Sequence, residues 1–180
     1  MQVTVVACGE SARHWIPRGI TIGSNDVLKF GRDTDYLILA NSPGKFKPER
    51  LNIIKKSKAK ILVTSVNQWK PYFPACERIQ KVTTFNKMIM KGYCQTSVTT
   101  PIMALSIAIR MGATEIIMWG VDLLNHKSYA KGTKAGDREI DKYKMYFKEC
   151  ERLKIKVWRG ADGTAFDDVV PKYNEYVMAV

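Results

Sequence analysis

The feature that most restricts the fold of this sequence is a helix signal followed directly by an apolar strand, between residues 99 and 122. Thr100 and Pro101 occupy positions typical of a helix start, and Gly112 follows the apolar run as a helix stop. Residues 115–122 then form an apolar stretch that closes on a glycine and a carboxylate. A helix that precedes a buried strand is half of a parallel α/β unit. This region therefore predicts helices that cover a parallel sheet.

Other short apolar segments rich in β-branched residues repeat along the chain and end in polar loop residues. These predicted strands cover 3–7, 20–23, 36–40, 59–64 and 154–158. We expect a short helix over 12–16, capped by Ser11, and a longer amphipathic helix over 137–153. The alternation predicts α/β class: one three-layer Rossmann-like domain over residues 1–180, with a mostly parallel sheet and no element assigned after about residue 160.

Composition excludes several broad classes of protein. With 180 residues and 46% apolar content, the chain can bury one sizeable core and is not disordered as a whole. The 4 cysteines form no CxxC pair, which excludes a zinc ribbon or a dithiol redox site. The start of the chain does not resemble a signal peptide, and no apolar run approaches the roughly 20 residues of a membrane span. We therefore expect a cytoplasmic protein.

The carboxyl ends of parallel strands are where open α/β sheets bind ligands, so the residues there are the candidate site. The binding candidates are Gly9, Glu10, Ser11, Asn25, Asn41, Ser42, Thr99, Thr100 and Gly120, and the catalytic candidates are Asp122, His126 and Tyr129. The unpaired N–H groups of a helix start at Thr99 and Thr100 favour an anion such as phosphate. An imidazole or a phenol in a loop rich in glycine and lysine can move a proton.

Simpler interpretations of the same residues remain open. Thr99 and Thr100 are compatible with ordinary helix capping, Asp122 with a loop cap, and His126 with a solvated loop. The chain contains no GxxxxGK[ST], GxGxxG or GxSxG motif, and its 2 histidines have no metal-ligand spacing. Common phosphate loops, a zinc site and a Ser-His-Asp triad are thus not indicated.

Taken together, four segments resemble the small bacterial sialyltransferases and the related hydroxymethylpterin-diphosphokinase-like domains. The segments are Val6-Ala7-Cys8-Gly9-Glu10-Ser11, Ile22-Gly23-Ser24-Asn25, Leu39-Ala40-Asn41-Ser42, and the unit from Thr99-Thr100-Pro101 to Gly120-Val121-Asp122. In the sialyltransferases the first loop reads like GxGPS, asparagines follow the second and third strands, Thr-Ser-Gly opens a helix, and the next strand ends in Gly-Ile-Asp. The resemblance covers roughly residues 3–160.

This resemblance implies a Rossmann-like domain that binds a cytidine nucleotide sugar. It indicates no particular cofactor. It places the first loop and the helix start near the nucleotide, and Tyr129, within Ser128-Tyr129-Ala130, near the departing phosphate. The sequence departs from the family at Glu10, which replaces a proline, and at Pro101, which replaces a glycine. Residues 131–136 also lack the family's general-base histidine, for which His126 is a nearby substitute.

Three other functions stay open at this point. The chain could bind a nucleotide without catalysis, or transfer diphosphate from ATP, in which case a divalent metal is expected near Asp122. The formal charge of +12 also suggests nucleic acid, since residues 45–60 carry seven Lys or Arg and one Glu, but no nucleic-acid motif is present. Oligomeric state is not indicated by the sequence.

Overall fold

The computed structural model describes residues 1–73, 75–82, 93–95, 99–124, 126 and 130–174. Nine strands and three α-helices lie within these ranges. The strands are β1 (Gln2–Val6), β2 (Ile20–Ser24), β3 (Tyr36–Leu39), β4 (Ile61–Thr64), β5 (Cys76–Arg78), β6 (Gln80–Val82), β7 (Tyr93–Gln95), β8 (Glu115–Trp119) and β9 (Lys156–Arg159). The helices are α1 (Pro48–Lys55), α2 (Thr100–Arg110) and α3 (Lys134–Arg152).

Seven of these strands form one sheet in the order β5-β4-β3-β2-β1-β8-β9, and every pair is parallel. In register, Val6 of β1 pairs with Gly23 of β2 and with Trp119 of β8. The carboxyl ends of β2, β1 and β8 therefore lie side by side, with neighbouring strands about 4.8 Å apart. β6 and β7 form a separate parallel pair.

The core lies on both faces of the sheet. Helix α2 is buried over nearly its whole length, as its almost continuous apolar sequence predicts, and it packs with α3 on one face. On the other face, a second cluster gathers around Trp69, which is fully buried, together with Trp15, Leu39 and Ile54 of α1. Apolar side chains on both sides of a strand explain why the strands of this parallel sheet read as continuous apolar runs.

The predicted fold class is confirmed: an α/β Rossmann-like domain whose central sheet is all parallel. The predicted strands at 3–7, 20–23, 36–40, 59–64 and 154–158 all exist, with bounds shifted by a few residues. The assignment of the whole range 1–180 to one nucleotide-binding domain stays a prediction.

The predicted helix over 12–16 is wrong. The chain forms a single 3₁₀ turn at Glu10–Ala12 instead, and the hydroxyl of Ser11 makes no capping bond. Tertiary contacts of Ser11, described below, replace the capping bond. Helix α1 was not predicted, because only Leu51, Ile53 and Ile54 are apolar among its eight residues and the basic side chains obscure that pattern.

Helix α2 begins one residue earlier than expected, with Thr99 as its N-cap and Pro101 in its first turn. Gly112 follows the helix with φ of 79°, the left-handed conformation that favours glycine at a helix end. Among the described helices, none combines the length and apolar character that crossing a bilayer requires.

Candidate functional site

The first loop is fastened to the end of β8 through Ser11. The backbone N–H of Ser11 donates to Asp122 Oδ2 at 3.1 Å, and its hydroxyl donates to Asp122 Oδ1. The same hydroxyl accepts a hydrogen bond from the Gly120 N–H at 2.9 Å. Three bonds thus join one serine to a glycine and a carboxylate that lie more than 100 positions away in the sequence.

Glycine is needed at both contact points of this loop. A Cβ on Gly9 would lie 2.6 Å from the Gly120 carbonyl oxygen and would also collide with the Asp122 carboxylate. Gly120 has φ of 71°, and a Cβ there would lie 2.5 Å from the Ala7 carbonyl oxygen. The Gly9 N–H donates to the Gly120 carbonyl oxygen at 3.0 Å, which continues the pairing of β1 with β8 beyond the strands. The two glycines allow the backbones to approach closely.

Asn25 lies at the end of β2 and faces the start of α2. Its Nδ2 donates to the Thr100 hydroxyl oxygen at 3.5 Å, while its Oδ1 is buried and has no hydrogen-bond partner among the described residues. Its φ of 54° is left-handed, a conformation that asparagine tolerates better than most residues. A buried acceptor without a partner costs free energy of about 1–3 kcal/mol, so this amide oxygen is suited to a ligand donor.

A second polar network, built on the buried Ser24 and Asp26, fixes the backbone on both sides of Asn25. The Cys8 thiol donates to the Ser24 carbonyl oxygen at 3.1 Å and lies 3.4 Å from Asp26 Oδ1. Arg50, from α1, forms an ion pair with Asp26 at 2.5 Å. Burial, followed by the Asp26 charge, raises the pKa of Cys8 to about 12. Burial alone would raise the pKa of Asp26 too, but the hydrogen bond and charge of Arg50 hold it below its ordinary value.

Thr99 is held from the opposite side, by α3. Its hydroxyl donates to Glu139 Oε2 at 3.1 Å and lies 3.1 Å from the Tyr143 hydroxyl. Glu139 is fully buried, and Lys142 donates to its other carboxylate oxygen at 2.5 Å. Burial raises the pKa of Tyr143 well above its usual value. This cluster fixes Thr99, the N-cap of α2. Thr99 therefore contacts α3, whereas the next residue, Thr100, contacts Asn25.

The remaining binding candidates lie outside these contacts. Asn41 is exposed, and its backbone carbonyl oxygen accepts a hydrogen bond from Trp69 Nε1 at 2.7 Å. Ser42 is half-buried, and its backbone carbonyl oxygen accepts a hydrogen bond from the Lys45 N–H at 3.0 Å. Glu10 is exposed and pairs with Arg13 at 2.8 Å, which lowers its pKa. The structure thus brings Gly9, Ser11, Gly120 and Asp122 into one cluster and Asn25 and Thr100 into another.

Two further catalytic candidates, His126 and Tyr129, were predicted to move protons. His126 is exposed, whereas Tyr129 lies outside the described residues. No group of three or more metal-ligating side chains occurs among the residues that the structure places. A groove of about 520 Å³ between α3 and β9, lined by residues such as Phe147 and Val157, contains none of the candidate site residues. The carboxyl edge of the sheet remains the candidate site because polar groups converge there.

Sequence reasoning missed the residues that support this site. Asp26 directly follows Asn25, but only the fold shows that its carboxylate turns inward toward Cys8 and Arg50. Glu139 and Tyr143 lie four positions apart, on the buried face of α3. A carboxylate on the buried face of a helix is unusual, so the position of Glu139 was the one signal in the sequence that could have pointed to this cluster.

Comparison with family models finds no match, and comparison with curated protein sequences finds none either. Solved structures do match. The sialyltransferase CstII from Campylobacter jejuni, in complex with the substrate analogue CMP-3FNeuAc, is 12% identical with a TM-score of 0.59, over 96% of this chain and 85% of that chain. The chain has a sialyltransferase-like fold.

Two further solved structures are similar to this chain. The α-2,3-sialyltransferase from Campylobacter jejuni in apo form is 15% identical with a TM-score of 0.57, over 96% of this chain and 80% of that one. The MAf glycosyltransferase from Magnetospirillum magneticum AMB-1 is 12% identical with a TM-score of 0.67, over 94% of this chain but 33% of that protein. None of these three is a hydroxymethylpterin diphosphokinase, so that part of the resemblance has no support here.

Proposed function

We propose that this protein is a nucleotide-sugar-dependent glycosyltransferase of the sialyltransferase type, with a cytidine nucleotide as the donor's leaving group. The observation that carries the proposal is the buried Asn25 Oδ1, which lacks a partner in the described structure and lies beside the start of α2. A nucleotide supplies donors for such an acceptor, and its phosphate suits the N–H groups of a helix start. Solved neighbours of the same fold hold CMP and CMP-3FNeuAc.

In this proposal the phosphate lies against the first loop and the start of α2, at Thr99 and Thr100. Asn25 and Asn41 contact base, ribose or sugar, since they follow neighbouring strands at the same edge of the sheet. The remaining binding candidates Gly9, Glu10, Ser11, Ser42 and Gly120 shape or flank the site. Asp122 fastens the first loop and stays a candidate for orienting a hydroxyl.

Binding is tested by the thermal stability of the protein with CMP, CDP, UDP and ATP, each with and without magnesium. A ligand at about 100 times its dissociation constant stabilises by roughly 2.7 kcal/mol, and we expect this for CMP without magnesium. Asn25→Ala should abolish the CMP effect, whereas Asn52→Ala, at an exposed position of α1, should not. Equal CMP stabilisation in both variants would remove Asn25 from the site.

Catalysis is tested by sugar transfer from a CMP-sugar donor. We expect Tyr129→Phe to slow departure of the phosphate and His126→Ala to slow proton removal from the acceptor, so both lower turnover. Tyr72→Phe is the matched control for the tyrosine variant, since Tyr72 is exposed and lies outside the site. Wild-type turnover in the Tyr129 and His126 variants would refute these two roles.

One alternative rests on a sequence observation. Residues 131–136 contain no histidine, which favours a protein that binds the nucleotide without transferring sugar. Tight CMP binding with no turnover for any donor would select this alternative. Magnesium-dependent stabilisation by ATP alone would instead select diphosphate transfer with a divalent ion. We also propose that the protein acts in the cytoplasm, where thiols such as those of Cys8 and Cys150 stay reduced.

A further inference from the structure

A small polar pocket lies between the segments that follow β1 and β2, apart from the candidate nucleotide site. Its cavity volume is about 240 Å³, and its lining residues are Arg13, His14, Trp15, Phe30 and Arg32. Two guanidinium groups and one imidazole thus surround a cavity in which no carboxylate is among the lining residues. None of these five residues belongs to the proposed nucleotide site.

Arg32 is exposed, and one hydrogen bond holds its guanidinium while its charge is not neutralised. Its Nη1 donates to the Trp15 carbonyl oxygen at 3.2 Å, and no carboxylate within the described ranges forms an ion pair with it. A guanidinium has five N–H donors, so one bond to a carbonyl leaves others to bind an anion. The planar arrangement of these donors matches the two oxygens of a carboxylate or a phosphate.

Arg13 adds a second cation whose existing partner is weakly held. It pairs with Glu10 at 2.8 Å, but the side chains are 66% and 74% exposed. Exposed pairs of this kind contribute little free energy, since water screens both charges. An anion in the pocket can therefore compete with Glu10 for the Arg13 guanidinium.

Aromatic side chains form the rest of the wall. Phe30 is half-buried, with the Lys29 ammonium 4.7 Å from its ring centroid, which adds another positive charge nearby. Trp15 is almost fully buried, and its Nε1 has no hydrogen-bond partner in the part of the chain that the structure describes. Aromatic faces beside a cationic cluster suit a ligand that joins an acidic group to a flat or apolar part.

We infer that this pocket is a second ligand site, which binds a small organic anion through Arg32 and Arg13 and packs its apolar part against Phe30. The inference does not rest on the proposed glycosyltransferase activity, and its only link to that site is the pair of Arg13 with Glu10. The acidic group is a carboxylate or a phosphate, which share the same geometry toward arginine.

The test uses isothermal titration of the full chain with three probes: benzoate, inorganic phosphate and phenyl phosphate. Benzoate and inorganic phosphate separate the two acidic groups, and phenyl phosphate tests whether the flat part adds affinity. We expect saturable binding of at least one probe and a loss of about tenfold or more in Arg32→Gln. Lys45→Gln removes the same charge from an exposed turn outside the pocket and should bind as the wild type does.

Arg13→Gln is the second variant, in case the loss of the Arg32 bond to Trp15 disturbs the fold, and the same loss of affinity is expected. Binding should also persist when CMP is saturating. The inference is overturned if no probe saturates, if Lys45→Gln weakens binding as much as the arginine variants, or if CMP displaces the probe. Displacement by CMP would assign the anion to the nucleotide site instead, so the two proposals can fail separately.

Discussion

Ser11 and Asp122, 111 positions apart in the sequence, bind each other through the backbone N–H and the hydroxyl of the serine. Asp122 is therefore the loop cap that its position after a strand suggests. The two bonds close the first loop over the end of β8 and set the position of Gly9 beside Gly120. The geometry of the candidate site depends on this pair.

The first prediction concerns this pair. Asp122→Ala leaves the Ser11 N–H and hydroxyl without their acceptor, and we expect the free energy of unfolding to fall by about 1–3 kcal/mol. Urea denaturation measures the change. Asp168→Ala removes an exposed carboxylate elsewhere and should change the stability by no more than about 0.5 kcal/mol. Similar values for the two variants would show that the Ser11 bonds do not stabilise the fold.

The second prediction concerns the close approach at Gly9. Gly9→Ala places a methyl group against the Gly120 carbonyl and the Asp122 carboxylate, so the first loop must move. We expect a loss of about 1–3 kcal/mol in unfolding free energy, the usual cost of overpacking. Gly44→Ala is the control, since a Cβ there meets nothing within 4 Å. A Gly9 variant as stable as the Gly44 variant would contradict the contact.

The third prediction concerns acid stability. The folded pKa of Asp26 lies below its ordinary value of 3.8, so the unfolded chain binds the proton more readily. The Asp26–Arg50 interaction therefore contributes full stability above about pH 5 and is lost as the pH falls through the folded pKa. Urea denaturation from pH 6 downward should show a shallower decline for Asp26→Asn than for the wild type. Parallel declines would mean that Asp26 is not linked to acid unfolding.

The fourth prediction concerns the Cys8 thiol. Because burial raises its pKa to about 12, Cys8 should react with iodoacetamide near pH 8 only after the chain unfolds. Pulse labelling across a urea gradient, read by mass spectrometry, should show Cys8 modification following the unfolding transition. Cys76 is half-buried, as Cys8 is, and serves as the internal comparison; it should be labelled at lower urea, because the charges of Lys70 and Arg78 oppose the effect of burial on its pKa. Rapid labelling of Cys8 in the native protein would contradict the raised pKa and the thiol contacts with Ser24 and Asp26.

The sequence by itself determined the fold class and the edge of the sheet at which the candidate residues lie. Apolar strands separated by a capped helix require a parallel sheet, and the ends of those strands lie at one edge in any such fold. That is why the positions of Gly9, Asn25 and Asp122 in the chain were enough to place them at this edge of the sheet.

Only the tertiary structure decided which polar groups meet. Ser11 signals a helix cap locally, but a carboxylate that follows a distant strand competes for its N–H and hydroxyl, and the helix over 12–16 does not form. The pairing of Asp26 with Arg50 and the burial of Glu139 beside Thr99 likewise join segments that are far apart in sequence. The local sequence pattern determines which segments form helices, strands and turns. The partner of a buried charged side chain depends instead on how whole helices and strands pack against each other.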